Sequence, residues 1–190
     1  MRIIIAAIVG GIIVFVWSGI AHVVTPLGTM GITSMPDDPR VAQGLAALPA
    51  SGMYFFPGMD MSHRPTAAEQ KAFNDKVKAG PSGLLILTKS NGATMTGATL
   101  CSQVLASIVA ALVAAILLSF MIGGWFKRAF AVALLAAFAI LSLLVSYWIW
   151  YGFPTEYVEG EVIMQIVGWF LAGLAMAKIV PPPFRAIAPA

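Results

Sequence analysis

The sequence predicts an all-α membrane protein, a four-transmembrane-helix bundle with a small α+β extracytoplasmic cap between helices 1 and 2. Three observations predict it. Hydrophobic residues make up 59% of the chain and charged residues 10%, with a mean hydropathy of +0.90, whereas soluble domains are typically about 25% charged. Four apolar stretches are each long enough to cross a hydrocarbon core, which takes about 20 residues. The lysines and arginines of the short flanks all fall on one side of those stretches, as the positive-inside rule requires. A chain of 190 residues has no interior able to hide this much apolar surface, so lipid is its solvent over much of its length.

The first span runs from Ile3 to about Val24, the second from about Leu100 to Ile122, the third from about Ala129 to Trp150 and the fourth from about Val162 to Val180. The chain then divides into spans at 1–24, 100–122, 129–150 and 162–180, a cap at 25–99 and a tail at 181–190. Arg2 precedes the first span, Lys127 and Arg128 join the second to the third, and Lys178 and Arg185 close the fourth. The loop between spans three and four holds Glu156, Glu159 and Glu161 and no basic residue. Both termini are therefore expected on the cytoplasmic side, with 25–99 outside. Trp125 and Phe126 at one boundary, and Tyr147, Trp148, Trp150 and Tyr151 at the other, suit interfacial aromatic belts. A competing reading makes the N-terminus a secretory signal cleaved after Ala21. The apolar run exceeds the usual signal core of about 7–15 residues and its only basic residue is Arg2, so it is read as a retained span. The sequence carries no eukaryotic targeting signal or glycosylation sequon, which points to a bacterial inner membrane.

Within the cap, Asp38-Pro39 pairs an N-cap with a proline at the first helical position and opens a helix to about Leu48. Ser51 to Pro57 reads as a strand, aromatic and bounded by breakers. Thr66-Ala67-Ala68-Glu69 is a capping box, which with Gly80-Pro81 as the stop predicts a helix over Ala67–Ala79. Gly83 to Lys89 reads as a second strand, ended by Ser90-Asn91-Gly92. The order suggests two strands pairing beneath two amphipathic helices around a small core. In the bundle, helices without a hydrophobic drive between them approach through small residues: Ala6 with Gly10 and Ala7 with Gly11 in span one, Ala106, Ala110 and Ala114 in span two, Gly168, Ala172 and Gly173 in span four.

Polar side chains in hydrocarbon are costly and so mark candidate sites. His22 ends span one, Gln103 and Ser107 lie early in span two, and Glu161 and Gln165 lie one turn apart at the start of span four. Since consecutive spans alternate in direction, these groups fall at one depth, with Trp17 and Trp169 deeper. His22, Gln103, Glu161 and Gln165 are the candidate ligand-binding or proton-linked residues, with His22 and Glu161 as a pair. A competing account is interfacial solvation, in which Glu161 near a helix start complements the dipole. A second candidate is Met59, Met61 and His63, soft ligands suited to Cu(I), although methionine also fills irregular packing gaps.

Several classes fall away. Cys101 is the only cysteine, so there is no intramolecular disulfide and no CxxC redox pair. The basic residues are scattered, so nucleic acid is not an expected partner. There is no phosphate-binding glycine loop, nucleophile elbow or HExxH pair, so no catalytic residue and no resident cofactor is assigned, copper at the methionine segment being the alternative. The expected partners are the lipid bilayer and either another membrane protein or a second copy. Non-enzymatic work as an accessory or scaffold component of a membrane assembly is the leading expectation. A small-ligand or proton-linked site at His22 and Glu161 is the alternative, and copper handling the third.

Overall fold

The structure, a computed structural model, describes residues 1–89 and 95–183. The expected turn at Ser90-Asn91-Gly92, the flank residue Arg185 and most of the tail lie outside the described residues. The elements in chain order are α1 (Arg2–Val23), a 3-10 turn (Pro26–Thr29), α2 (Pro39–Ala46), β1 (Gly52–Phe56), α3 (Ala67–Ala79), β2 (Gly83–Leu87), α4 (Gly97–Phe120), α5 (Trp125–Ala139), a π-helical segment (Ile140–Leu144), α6 (Val145–Tyr151) and α7 (Thr155–Ile179). They fall into two compact units. One comprises Met1–Ile32, Thr94–Trp148 and Phe153–Ala190, the other Thr33–Ala93 with Ile149–Gly152.

Four helical stretches are long and apolar enough to cross a membrane: Arg2–Val23, Gly97–Phe120, Trp125–Tyr151 and Thr155–Ile179. The helices begin upstream of the apolar runs, because caps rather than hydropathy set helix ends. Thr96 Oγ1 accepts the Thr99 N–H to start α4. Pro154 precedes α7, with Glu156 in its first turn and Lys178 in its last, the charge order the helix dipole favours. The third stretch is broken by the π-helical segment, with neither glycine nor proline in it.

Helix α1 packs along α4 on one side and α7 on the other, and α5 packs along α7, while α4 and α5 meet at few positions. The helices therefore stand in the order α4, α1, α7, α5, with the α4–α5 side left largely unsealed. The core is mostly alanine, Ala6, Ala111, Ala115, Ala129 and Ala172 among them, with Leu118, Val132 and Met176 as its larger members. That composition is the mark of helices held close by small residues. At Gly11 a Cβ would come within 2.6 Å of the Ile108 backbone, so only glycine permits the α1–α4 approach seen here. Ala106 and Ala110 depart from the expected packing stripe: both are exposed along α4 and line a cavity instead.

Arg128, which the sequence presents as one of two flank charges, is buried at 1% exposure while Lys127 is exposed. Its Nη1 donates to the Ala177 and Val180 carbonyls at 3.1 and 2.8 Å, and its Nη2 to the Leu118 carbonyl at 2.8 Å. Those carbonyls lie at the C-terminal ends of α4 and α7, where intrahelical donors run out and the negative end of the helix dipole sits, and the Leu118 carbonyl also accepts the Met121 N–H at 3.2 Å. One guanidinium thus caps two helix C-termini at once. Beside it, Trp125 Nε1 donates to the Leu174 carbonyl at 2.7 Å and Lys178 Nζ sits 4.7 Å over the Trp125 ring.

In the second unit, β1 and β2 pair antiparallel with Met53 opposite Ile86 and Phe55 opposite Leu84. Asp38 caps α2 through the Arg40 N–H at 2.8 Å, and the Thr66–Glu69 capping box starts α3 where the sequence places it. The expected small core is missing. Among the described residues none of Thr33–Lys89 is buried, and α2 and α3 do not cover the strands. Short helices with few large apolar residues cannot enclose a two-stranded sheet.

Candidate functional site

His22, Gln103, Glu161 and Gln165 line one cavity of about 280 Å³ together with Ser107 and Trp169. Three helices supply the wall: the C-terminal turns of α1 from Val14 to His22, α4 from Gln103 to Ala110 and α7 from Glu161 to Trp169. Antiparallel neighbours bring the end of one helix beside the start of the next, which is why residues from distant parts of the sequence line one cavity. The cavity exists because α4 offers Ala106 and Ala110 where a larger side chain would fill it.

His22 is held on two sides. Its Nδ1 lies 2.8 Å from the Ser18 carbonyl one turn earlier. A backbone carbonyl only accepts, so Nδ1 carries a proton, and Nε2 has no partner among the described residues. Gly28, in the 3-10 turn that follows α1, lies flat against the ring. A Cβ there would come within 2.6 Å of its Cγ and Cδ2. Thr25 positions that turn by donating to the Ala21 carbonyl at 2.7 Å and accepting the Leu27 N–H at 3.2 Å.

On α7 a hydrogen-bonded row runs along one face. Trp169 Nε1 donates to Gln165 Oε1 at 3.3 Å, and Gln165 Nε2 donates to Glu161 Oε2 at 3.4 Å. Both contacts are long, so the carboxylate is only weakly satisfied. The expected pairing of His22 with Glu161 is not formed, since no ion pair joins them among the described residues. They share a cavity wall without touching as ions. Deeper, Trp17 Nε1 donates to the Met164 carbonyl at 2.9 Å and ties α1 to α7.

A second cavity of about 290 Å³ shares Glu161, Gln165 and Trp169, and its far wall is Ile140, Leu143 and Leu144 of the π-helical segment. The sequence reading missed this half of the site. A π turn widens a helix by one residue and is frequent at functional positions, yet this one has no glycine, proline or polar residue to announce it beyond Ser142.

The methionine segment is arranged differently from a thioether–imidazole site. His63 Nε2 lies 3.3 Å from Glu69 Oε1 and its Nδ1 3.6 Å from Asp60 Oδ2, so carboxylates face both ring nitrogens. Met61 is 78% exposed, and Met59 lines a separate small cavity with Phe73 and Lys76. Glu69 accepts from the Thr66 backbone N–H and hydroxyl as well as facing His63, which holds its carboxyl below the usual glutamate range. Among the described residues no three His, Cys, Asp or Glu side chains stand together as a metal-binding group. Cys101 is an exposed thiol on the second turn of α4.

Compared with protein-family models, with curated proteins and with solved structures, the chain matches none.

Proposed function

We propose that the chain is a bacterial inner-membrane protein, with both termini cytoplasmic, that binds a small ligand non-covalently in the polar cavity between α1, α4 and α7. One observation carries the reading: His22, Gln103, Glu161 and Gln165, drawn from three helices, line a single cavity where the apolar stretches end. Pockets that hold small molecules combine apolar walls with a few convergent polar groups and start at about 300 Å³, and this cavity is close to that size. The reading needs no catalytic residue.

The test is native mass spectrometry of the full-length protein released from its own membranes in mild detergent. The wild type is expected to carry a small-molecule adduct. Ala110→Phe, which fills the cavity from an exposed position, is expected to lose it, and Val109→Phe on the neighbouring face to keep it. A bare wild type, or an adduct indifferent to Ala110→Phe, overturns the proposal.

A second reading, the accessory or scaffold role, rests on the other unit. Met53, Phe55 and Ile86 are 60%, 52% and 66% exposed, and they share one face of a sheet that has no core of its own. Such a face suits a protein partner. Co-purification in mild detergent tests it: a partner lost on Phe55→Ser supports the role, and a strictly solitary chain counts against it.

A further inference from the structure

We infer that the ligand of the Glu161 cavity is a protonated amine on an alkyl chain, a deepening that rests on the ligand-binding reading above. The indole, imidazole and buried hydroxyl donors on the wall are already committed inside the protein. Trp17 Nε1 serves the Met164 carbonyl, His22 Nδ1 the Ser18 carbonyl, Ser107 Oγ the Gln103 carbonyl at 2.9 Å, and Trp169 Nε1 the Gln165 amide. What these residues have left are acceptors: the Glu161 carboxylate, the oxygen of Ser107 and, in the Nδ1–H tautomer of a neutral imidazole, the lone pair of His22 Nε2. The amides of Gln103 and Gln165 and the hydroxyl of Ser18 can serve either way.

Charge points in the same direction. Glu161 is the one acidic side chain of the wall, no lysine or arginine lines it, and no ion pair satisfies it among the described residues. A carboxylate at the edge of hydrocarbon with a single long hydrogen bond lacks a counter-charge. An ammonium supplies both the charge and three donors. An anionic ligand would meet Glu161 with nothing to offset the repulsion. The rings of Trp17 and Trp169 also line the cavity, and indole faces attract organic cations. The alkyl requirement comes from the second cavity, which shares Glu161, Gln165 and Trp169 and continues onto Ile140, Leu143 and Leu144. A head group at Glu161 thus has an apolar bed beside it, on the side where α4 and α5 do not seal.

The experiment uses the full-length protein in nanodiscs of phosphatidylcholine, whose head group has no N–H donor. The probes are hexylammonium, hexanol and hexanoate, and the readout is the indole N–H signals of Trp17 and Trp169. Hexylammonium is expected to shift both signals saturably, hexanol and hexanoate not at matched concentration, and Glu161→Gln to weaken the amine at least tenfold. Added phosphatidylethanolamine that competes with hexylammonium identifies a lipid head group as the source of the amine; lack of competition identifies a free amine. Saturable binding of hexanol or hexanoate as tight as the amine overturns the amine assignment and leaves the cavity reading standing. So does amine binding that Glu161→Gln leaves unchanged. Failure of all three probes, with an adduct retained in native mass spectrometry, overturns the amine alone. Failure of the probes with no adduct overturns both.

Discussion

Arg128 is the residue whose role changes most between sequence and structure. In sequence it stands beside Lys127 as an orientation signal; in the fold it is a buried donor to carbonyls at the ends of α4 and α7. A hydrogen bond to a charged group is worth about 1.5–3 kcal/mol, and removing the guanidinium takes a buried donor away from three carbonyls at once. Arg128→Ala is therefore expected to destabilise the folded protein by about 3–5 kcal/mol, read as detergent-induced unfolding. Arg128→Lys, with a point charge in place of the planar fork, is expected to restore only part of that. The orientation of the chain should survive either change, because Lys127 remains exposed. His22 and Glu161 were legible as polar groups at one depth, but the proton on His22 Nδ1 was not. It follows from the Ser18 carbonyl, and the ring's second clamp, Gly28, from a turn that carries no chemical label.

Among the elements, the clearest match of sequence to structure is α3. Its start is written in local chemistry: the Thr66 side chain accepts the Glu69 N–H, and Glu69 accepts the Thr66 N–H in return. Because these contacts and His63 hold the Glu69 carboxyl below its usual range, its contribution is complete above the unfolded glutamate value. That contribution is lost only as pH falls through the lower, folded value. On acidification the Thr66 and Glu69 amide signals should hold through the ordinary glutamate range and move below it, and Glu69→Gln should abolish that step. The strands followed from an aromatic run and an aliphatic run, each bounded by breakers, and they pair as expected. The core that was to sit between strands and helices did not follow, because amphipathic helices of this length bury their apolar face only against something large enough to receive it. The π-helical segment was illegible for a different reason: no residue type in Ile140–Leu144 signals the extra residue of a π turn.

At the scale of the whole molecule, the order α4, α1, α7, α5 decides which groups meet. It places α1 between α4 and α7, so that residues from three distant segments face one cavity, and it leaves the α4–α5 side available to a bilayer-borne ligand. The proposed orientation is open to direct test in a Cys101→Ser background. An impermeant maleimide added to spheroplasts should label Ser62→Cys, and should label Gly124→Cys only after the membrane is opened; the reverse pattern would invert the whole account. Composition, apolar run lengths and caps were enough to determine four candidate spans, the cap's helices and strands, and the common depth of the polar groups, because each depends on local sequence or on the fixed thickness of a bilayer. Helix order, the burial of Arg128, the missing core of the second unit and the two cavities that share Glu161, Gln165 and Trp169 were decided only in three dimensions. Each is set by which small-residue faces find one another, and alanine and glycine faces are too alike in sequence to name their partners.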